Sequence, residues 1–354
     1  MGKGGRGKLV ETVRLGVTFV VVAIVGCIFL PLTEMAEQAT KHKMEVIEIF
    51  SPMLEAIGND PKAAVQDNLM VILSAVGTLL SIIIVAQVCW RHSHSKESQR
   101  EKALIEAILL MLPLYAVCSF MVLLLSEMPS AANVIHLLEA TKEIYEAVVL
   151  HEFLELMYSY SDISRDKPIP KALLGRHVHF GPPLDWFIKD VKMDEALVKR
   201  LEGWTMQFVY FRPFHIVFDL VVVHMLGYHW VGNLTFAAYM VSTTYSLSSL
   251  IGFYHTFAKE LQPYAPLAKF LSIKGVVFLT TYQKMGLALI PKLDQFQCFF
   301  NLEDGKHCNV DVLIDQLASA LVCIEMGFLF SFAFQEAFSI KWLNVKAATT
   351  KKED

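Results

Sequence analysis

Seven apolar runs constrain this chain more than any other feature: residues 15–32, 69–90, 103–125, 205–226, 234–258, 269–290 and 313–338. Each is long enough to cross ~30 Å of hydrocarbon as a helix. Inside lipid every backbone polar group must be satisfied within the span, so helices are the structures such runs can form. The rest of the composition agrees. The 354 residues are 54% hydrophobic and only 19% charged, and the mean hydropathy is +0.44. Soluble domains carry nearer a quarter charged residues. A disordered chain, a collagen and a disulfide-dense secreted module are excluded. The net charge of −4 provides no global basic field for nucleic acid.

An eighth segment, 134–158, is apolar on part of its surface but carries Glu139, Lys142, Glu143, Glu146, His151, Glu152 and Glu155. Loop charges bear on whether it crosses, because Lys and Arg accumulate on the cytoplasmic side. With Lys3, Arg6, Lys8 and Arg14 inside and all eight segments crossing, four further basic groups also fall inside. They are Arg91 to Lys102, the loop 159–204, Lys259 with Lys269, and the tail from Lys341. Without a crossing at 134–158 the last two groups would flip outward. The expected architecture is therefore an all-α polytopic membrane protein with eight spans and both termini cytoplasmic. The first run reads as a retained anchor rather than a signal peptide, since no small-x-small site follows Phe29-Leu30-Pro31. Domain boundaries follow: anchor and linker over 1–68, membrane domain over 69–340, tail over 341–354.

Cys27, Cys89, Cys118 and Cys323 sit within spans as small apolar residues. Cys298 and Cys308 bracket a loop that the eight-span arrangement places on the oxidising side, where a disulfide can persist. Two free thiols are the alternative. The carboxyl end, Lys351-Lys352-Glu353-Asp354, reads either as a dilysine retrieval signal for early secretory membranes or as an ordinary charged tail.

Charge at membrane depth is expensive and marks function by default. Glu139, Glu143 and Glu146 follow i, i+4, i+7 spacing and share a helical face with Lys142, while His151, Glu152 and Glu155 lie on roughly the opposite face. Such a helix cannot face lipid throughout. Its carboxylates either line a polar pathway or form structural pairs with Lys142, Arg212 or Lys274. The hydroxyl-rich stretch containing Ser242 and Ser246 fits close helix packing or a hydroxyl-lined cavity. Arg212, Asp219, Asp315 and Glu325 complete the intramembrane set, with Glu325 near mid-span. His151-Glu152-Phe-Leu-Glu155 lacks the second His of the zincin motif HExxH. No metal site is assigned, and the clusters His92-Ser-His94 and His177-Val-His179 are expected to be solvated. No phosphate-binding GxxxxGK[ST] loop, nucleophile elbow or nucleotide fingerprint is present, so an enzyme, an ATP-driven pump and a bound cofactor find no support.

Four stretches carry a family resemblance: Tyr145-Glu146-Ala147; Arg212-Pro213 after Gln207-Phe208-Val209-Tyr210-Phe211; LQPYAPLAKFLSIKGVVFLTTYQ from Leu261 to Gln283; and Cys323-Ile-Glu325-Met326. In order and spacing they resemble the organic solute transporter alpha-subunit and transmembrane protein 184 family. Tyr282 stands where that family usually has Trp, and Ile144 where Cys is frequent. The resemblance implies a seven-helix core over 69–338 with an additional anchor at 15–32. It also implies facilitative transport of amphipathic, steroid- or lipid-like solutes. Expected cavity residues are Glu139, Glu143, Tyr145, Glu146, Arg212, Ser242, Ser246, Lys274, Gln283 and Glu325. Expected partners are membrane lipid, the solute, and either a single-span beta-type subunit or further copies of the chain. The competing reading is a non-transporting receptor, scaffold or trafficking protein acting through the basic loop 159–204, in an endomembrane or at the plasma membrane.

Overall fold

The computed structural model describes residues 69–95, 98–126, 131–160, 175, 177–178, 191–219, 221–222, 227–257, 261, 264–288 and 310–339. The anchor run 15–32, Cys27, Cys298, Cys308, Lys351 and Lys352 lie outside the described residues. Contacts divide the chain between Ile72 and Leu73, and the elements below belong to the second unit apart from the first four residues of the first helix.

The elements are α1 Leu69–Ser93, α2 Gln99–Leu109, α3 Met111–Leu125, α4 Ala132–Tyr160, β1 His177–Val178, β2 Val191–Lys192, α5 Glu195–Asp219, α6 His229–Thr256 and α7 Pro266–Ala288. Then come α8 Val310–Glu325, a π-helical turn Met326–Phe330 and α9 Ser331–Ala337. With α2–α3 and α8–α9 each taken as one interrupted rod, seven helical rods stand among the described residues. Three of them, Leu69–Ser93, Gln99–Leu125 and Ile314–Ala337, are long and apolar enough to cross a membrane. Large apolar side chains face outward, for example Leu79 and Ile83 on α1, Phe214 and Val217 on α5, and Phe278 on α7. An outward apolar surface of this extent is what hydrocarbon, not water, accommodates. The protein is an integral membrane protein.

The helix at the centre is a charged one. The 29-residue α4 packs against α2, α3, α5 and α7, which shields its charged side chains from the periphery. Among them Lys142, Glu146, Glu152 and Glu155 are all buried. Helix α1 presents a seam of small residues inward, Ser74, Gly77, Thr78 and Ser81, all buried. Thr78 Oγ1 and Ser81 Oγ donate to the carbonyls of Ser74 and Thr78, each at 2.8 Å, so these hydroxyls need no distant partner. At Gly77 this seam crosses the last rod so closely that a Cβ would lie 2.5 Å from the Cys323 carbonyl oxygen. A Cβ on Gly327 would in turn strike the Gly77 backbone. Small residues at a crossing are how helices approach in lipid.

Local chemistry sets the element ends. The break at Leu110 has Pro113 three residues on, whose ring excludes a straight helix four residues back and removes one donor. Helix α5 starts ten residues before the apolar run at 205, because Asp194 Oδ1 accepts from the Leu197 amide at 2.6 Å and caps it. The stretch expected as a loop to 204 is thus partly helix, preceded by the two-residue antiparallel pair of β1 with β2. Before α7, Ala265 adopts φ 48°, and Pro266 occupies the first helical position, where its missing N–H costs nothing. His92, expected to be solvated, is instead 1% exposed. Its Nε2 bonds the Phe338 carbonyl at 2.7 Å, tying the ends of α1 and the last rod together.

Candidate functional site

The ionisable residues of α4 divide into two sets with different fates. Near the carboxyl end of α4, Glu155 meets Arg100 of α2 at 2.5 Å, and His151 Nδ1 lies 3.4 Å from Glu152. Ser159 Oγ donates to Glu101 at 2.9 Å, and Lys102 Nζ donates to the Ser93 carbonyl at 2.9 Å. At the same end Tyr160 stacks on Tyr264 with centroids 4.3 Å apart. Lys269, 3% exposed, donates to the Tyr264 carbonyl. It also sits over the rings of Tyr160 and Phe338 at 5.6 and 5.4 Å. This end is latched by internal pairs, the structural alternative for an intramembrane charge.

The amino-terminal set has a different setting. Glu139, Lys142, Glu143 and Glu146 line a cavity of about 820 Å³. Its wall is completed by α3 (Tyr115, Val122), the end of α5 (Arg212, His215, Asp219), the start of α6 (Thr235, Phe236, Tyr239), α7 (Thr280) and the start of α8 (Asp315, Ser319). Because successive rods alternate in direction, these positions fall at one end of the bundle. The latched network lies at the other end.

Within the cavity the charges are paired but not saturated. Lys142 Nζ donates to Glu139 Oε1 at 2.8 Å and to Ser119 Oγ at 3.2 Å. Arg212 lies 3.3 Å from Glu143 Oε1 and 3.9 Å from the Tyr239 ring centroid, a cation–π contact. Lys274 approaches Glu146 only to 3.8 Å. His215 Nε2 bonds the Thr235 carbonyl at 3.0 Å, and Thr235 Oγ1 donates to Asp219 at 2.9 Å. Three buried polar atoms of the lining, Glu146 Oε1, Arg212 Nε and His215 Nδ1, have no hydrogen-bond partner. Buried polar groups in native proteins are nearly always satisfied, so orphans gathered on one cavity mark a place for water or a polar solute.

Of the ten residues singled out from the sequence, Glu139, Glu143, Glu146 and Arg212 line this cavity, and Lys274 reaches Glu146. The other five lie apart from it. Tyr145 turns away from the cavity around α4, where its hydroxyl donates to the Ala107 carbonyl at 2.7 Å. Ser242 and Ser246 are buried between α5 and α6, with Ser242 Oγ donating to Gln207 Oε1 at 3.2 Å. Gln283 Nε2 donates to Glu325 Oε1 at 2.8 Å, joining α7 to the rod of α8. Glu325 therefore has its polar partner, immediately before the π-helical turn, where Ser331 Oγ also bonds the Met326 carbonyl at 2.6 Å. Sequence reading passed over His215, Thr235 and Tyr239. Arg212, His215 and Asp219 recur at i, i+3 and i+7, a signal that could have found the first of these.

Helices from six elements thus wall a charged and aromatic cavity in the membrane bundle. The sequence model described as organic solute transporter Ostalpha matches residues 70–343. The chain belongs to the organic solute transporter alpha family. The match contains every residue that lines the cavity. A relative of this family member, Protein LAZ1 homolog 1 of Arabidopsis thaliana, is 26% identical over 279 residues, or 72% of this chain. That alignment covers 54% of the relative, so the chain spans about half the length of the curated protein it matches. No solved structure matches the chain.

No disulfide is present among the described residues, whose cysteines Cys89, Cys118 and Cys323 are free.

Proposed function

We propose that the chain is a facilitative transporter of amphipathic organic solutes and that the cavity between α3, α4, α5, α6, α7 and α8 is its solute site. The observation that carries this reading is the cavity itself: about 820 Å³, placed in the membrane bundle and lined by both ionic and aromatic side chains. That volume falls within the range of pockets that enclose a drug-sized ligand. Membership of a solute-transport family gives the cavity its purpose. No phosphate-binding loop occurs in the sequence, so the solute's own gradient supplies the driving force.

In the eight-span arrangement with cytoplasmic termini, the cavity opens toward the extracytoplasmic side and the Arg100–Glu155 network closes the cytoplasmic side. Transport then requires that network to part while the cavity mouth closes, an exchange between two packings around a fixed site. Purified full-length chain in proteoliposomes should take up a labelled steroid conjugate faster than empty liposomes, with saturation at high solute. Absence of flux, together with a solute-dependent interaction at the loop 159–204, would instead support the receptor reading.

A further inference from the structure

Taking the cavity as the solute site, we infer that it selects amphipaths whose polar end is cationic, an organic ammonium rather than a carboxylate or sulfate. The charge of the lining is the first ground. Among the described residues, five carboxylates line the cavity, Glu139, Glu143, Glu146, Asp219 and Asp315, against two fixed cations, Lys142 and Arg212. Both cations are already engaged, Lys142 with Glu139 at 2.8 Å and Arg212 with Glu143 and the Tyr239 ring. An entering anion would have to displace a carboxylate from one of them inside a low-dielectric bundle. Even if Lys274, 3.8 Å from Glu146, is counted with the lining, carboxylates remain in excess. Asp219 takes its hydrogen bond from the neutral Thr235 hydroxyl at 2.9 Å, which leaves its charge in place.

The second ground is independent of the count. Glu146 is 4% exposed and lines the cavity, yet its Oε1 accepts no hydrogen bond. At His215, Nε2 faces the Thr235 carbonyl and so carries the proton of the neutral ring. Its orphaned Nδ1 is then a lone pair on the cavity wall. Two of the three orphaned atoms are thus acceptors, as an ammonium N–H requires. Tyr115, Phe236 and Tyr239 add aromatic faces, which attract a cation and cover an apolar body at the same time. An excess of fixed charge of one sign in a low-dielectric cleft also concentrates the opposite ion there.

Direct binding to the detergent-purified full chain tests this, using tritiated steroids of one ring system that bear an ammonium, a hydroxyl or a sulfate at the same carbon. We expect the ammonium steroid to bind about tenfold or more tighter than the sulfate at neutral pH. Asp219→Asn should shrink that ratio severalfold. The wild-type ratio alone decides the matter if the variant fails to fold. Equal affinities, or a preference for the sulfate, would overturn the cationic inference while leaving the cavity a solute site. Binding of none of the three would overturn it together with the reading of the cavity on which it rests.

Discussion

At the scale of single residues, the Glu143–Arg212 pair shows how the cavity is held open. The Arg212 side chain is 7% exposed, whereas Glu143 keeps 43% of its surface accessible. Neutralising Glu143 therefore strands a buried guanidinium, and because Glu143 is itself half-exposed the cost is about 1–2 kcal/mol, below that of a fully buried pair. Removing both charges relieves that cost. Glu143→Gln should lower the thermal midpoint of the purified protein, and the double variant with Arg212→Gln should recover part of the loss. Additive destabilisation by the two changes would show that the charges do not depend on each other. Glu146 and Arg212 were legible in the sequence because charge is conspicuous in an apolar run. Tyr145 was placed beside them by chain position alone. It is adjacent to Glu146 in sequence but about 100° away around the helix, so its hydroxyl meets α2. Thr235 and Tyr239 were not legible, because hydroxyls and rings are ordinary in membrane helices until a neighbour gives them a task.

At the scale of elements, burial of α4 at the centre resolves the conflict between its charge and its setting. A lipid-facing carboxylate costs at least ~2.5 kcal/mol at the middle of a span, and this helix carries several. Packing against α2, α3, α5 and α7 places each near a cation, a hydroxyl or a cavity. The existence of α4 could be read from sequence, as could that of α1, α6 and α7. Its centrality could not, because a change of charged face along one helix says only that lipid is excluded. The crossing of α1 with the last rod was also hidden, since glycines in apolar runs are common and their pairing is a tertiary fact. It has a sharp consequence. Gly77→Ala places a Cβ 2.5 Å from the Cys323 carbonyl oxygen, and forcing the backbones apart should cost about 1–3 kcal/mol. Gly203→Ala meets nothing within 4 Å and should be neutral or stabilising by up to about 1 kcal/mol through helix propensity. Thermal unfolding of the two variants in one detergent checks the contrast. Equal midpoints would mean that the crossing is looser than the geometry shows.

At the scale of the whole molecule, the bundle has one end that is latched and one that holds a polar cavity. We propose that eight crossings set this polarity relative to the membrane, which places the 291–312 loop outside the cytoplasm and joins Cys298 to Cys308. A maleimide mass-tag on intact membranes should then add these two thiols only after reductant. Their tagging without reductant would contradict both the bridge and the topology. The most direct measurement of the central claim, that solute passes through the cavity, uses Ala140→Cys, a lining position on α4. The native thiols Cys89, Cys118 and Cys323 do not line it. Uptake of the labelled steroid conjugate should be near normal in proteoliposomes of this variant and should fall to the empty-liposome level once a bulky thiol reagent is attached. Wild-type uptake should survive the same reagent. Unaltered uptake after full modification of Cys at position 140 would contradict the account.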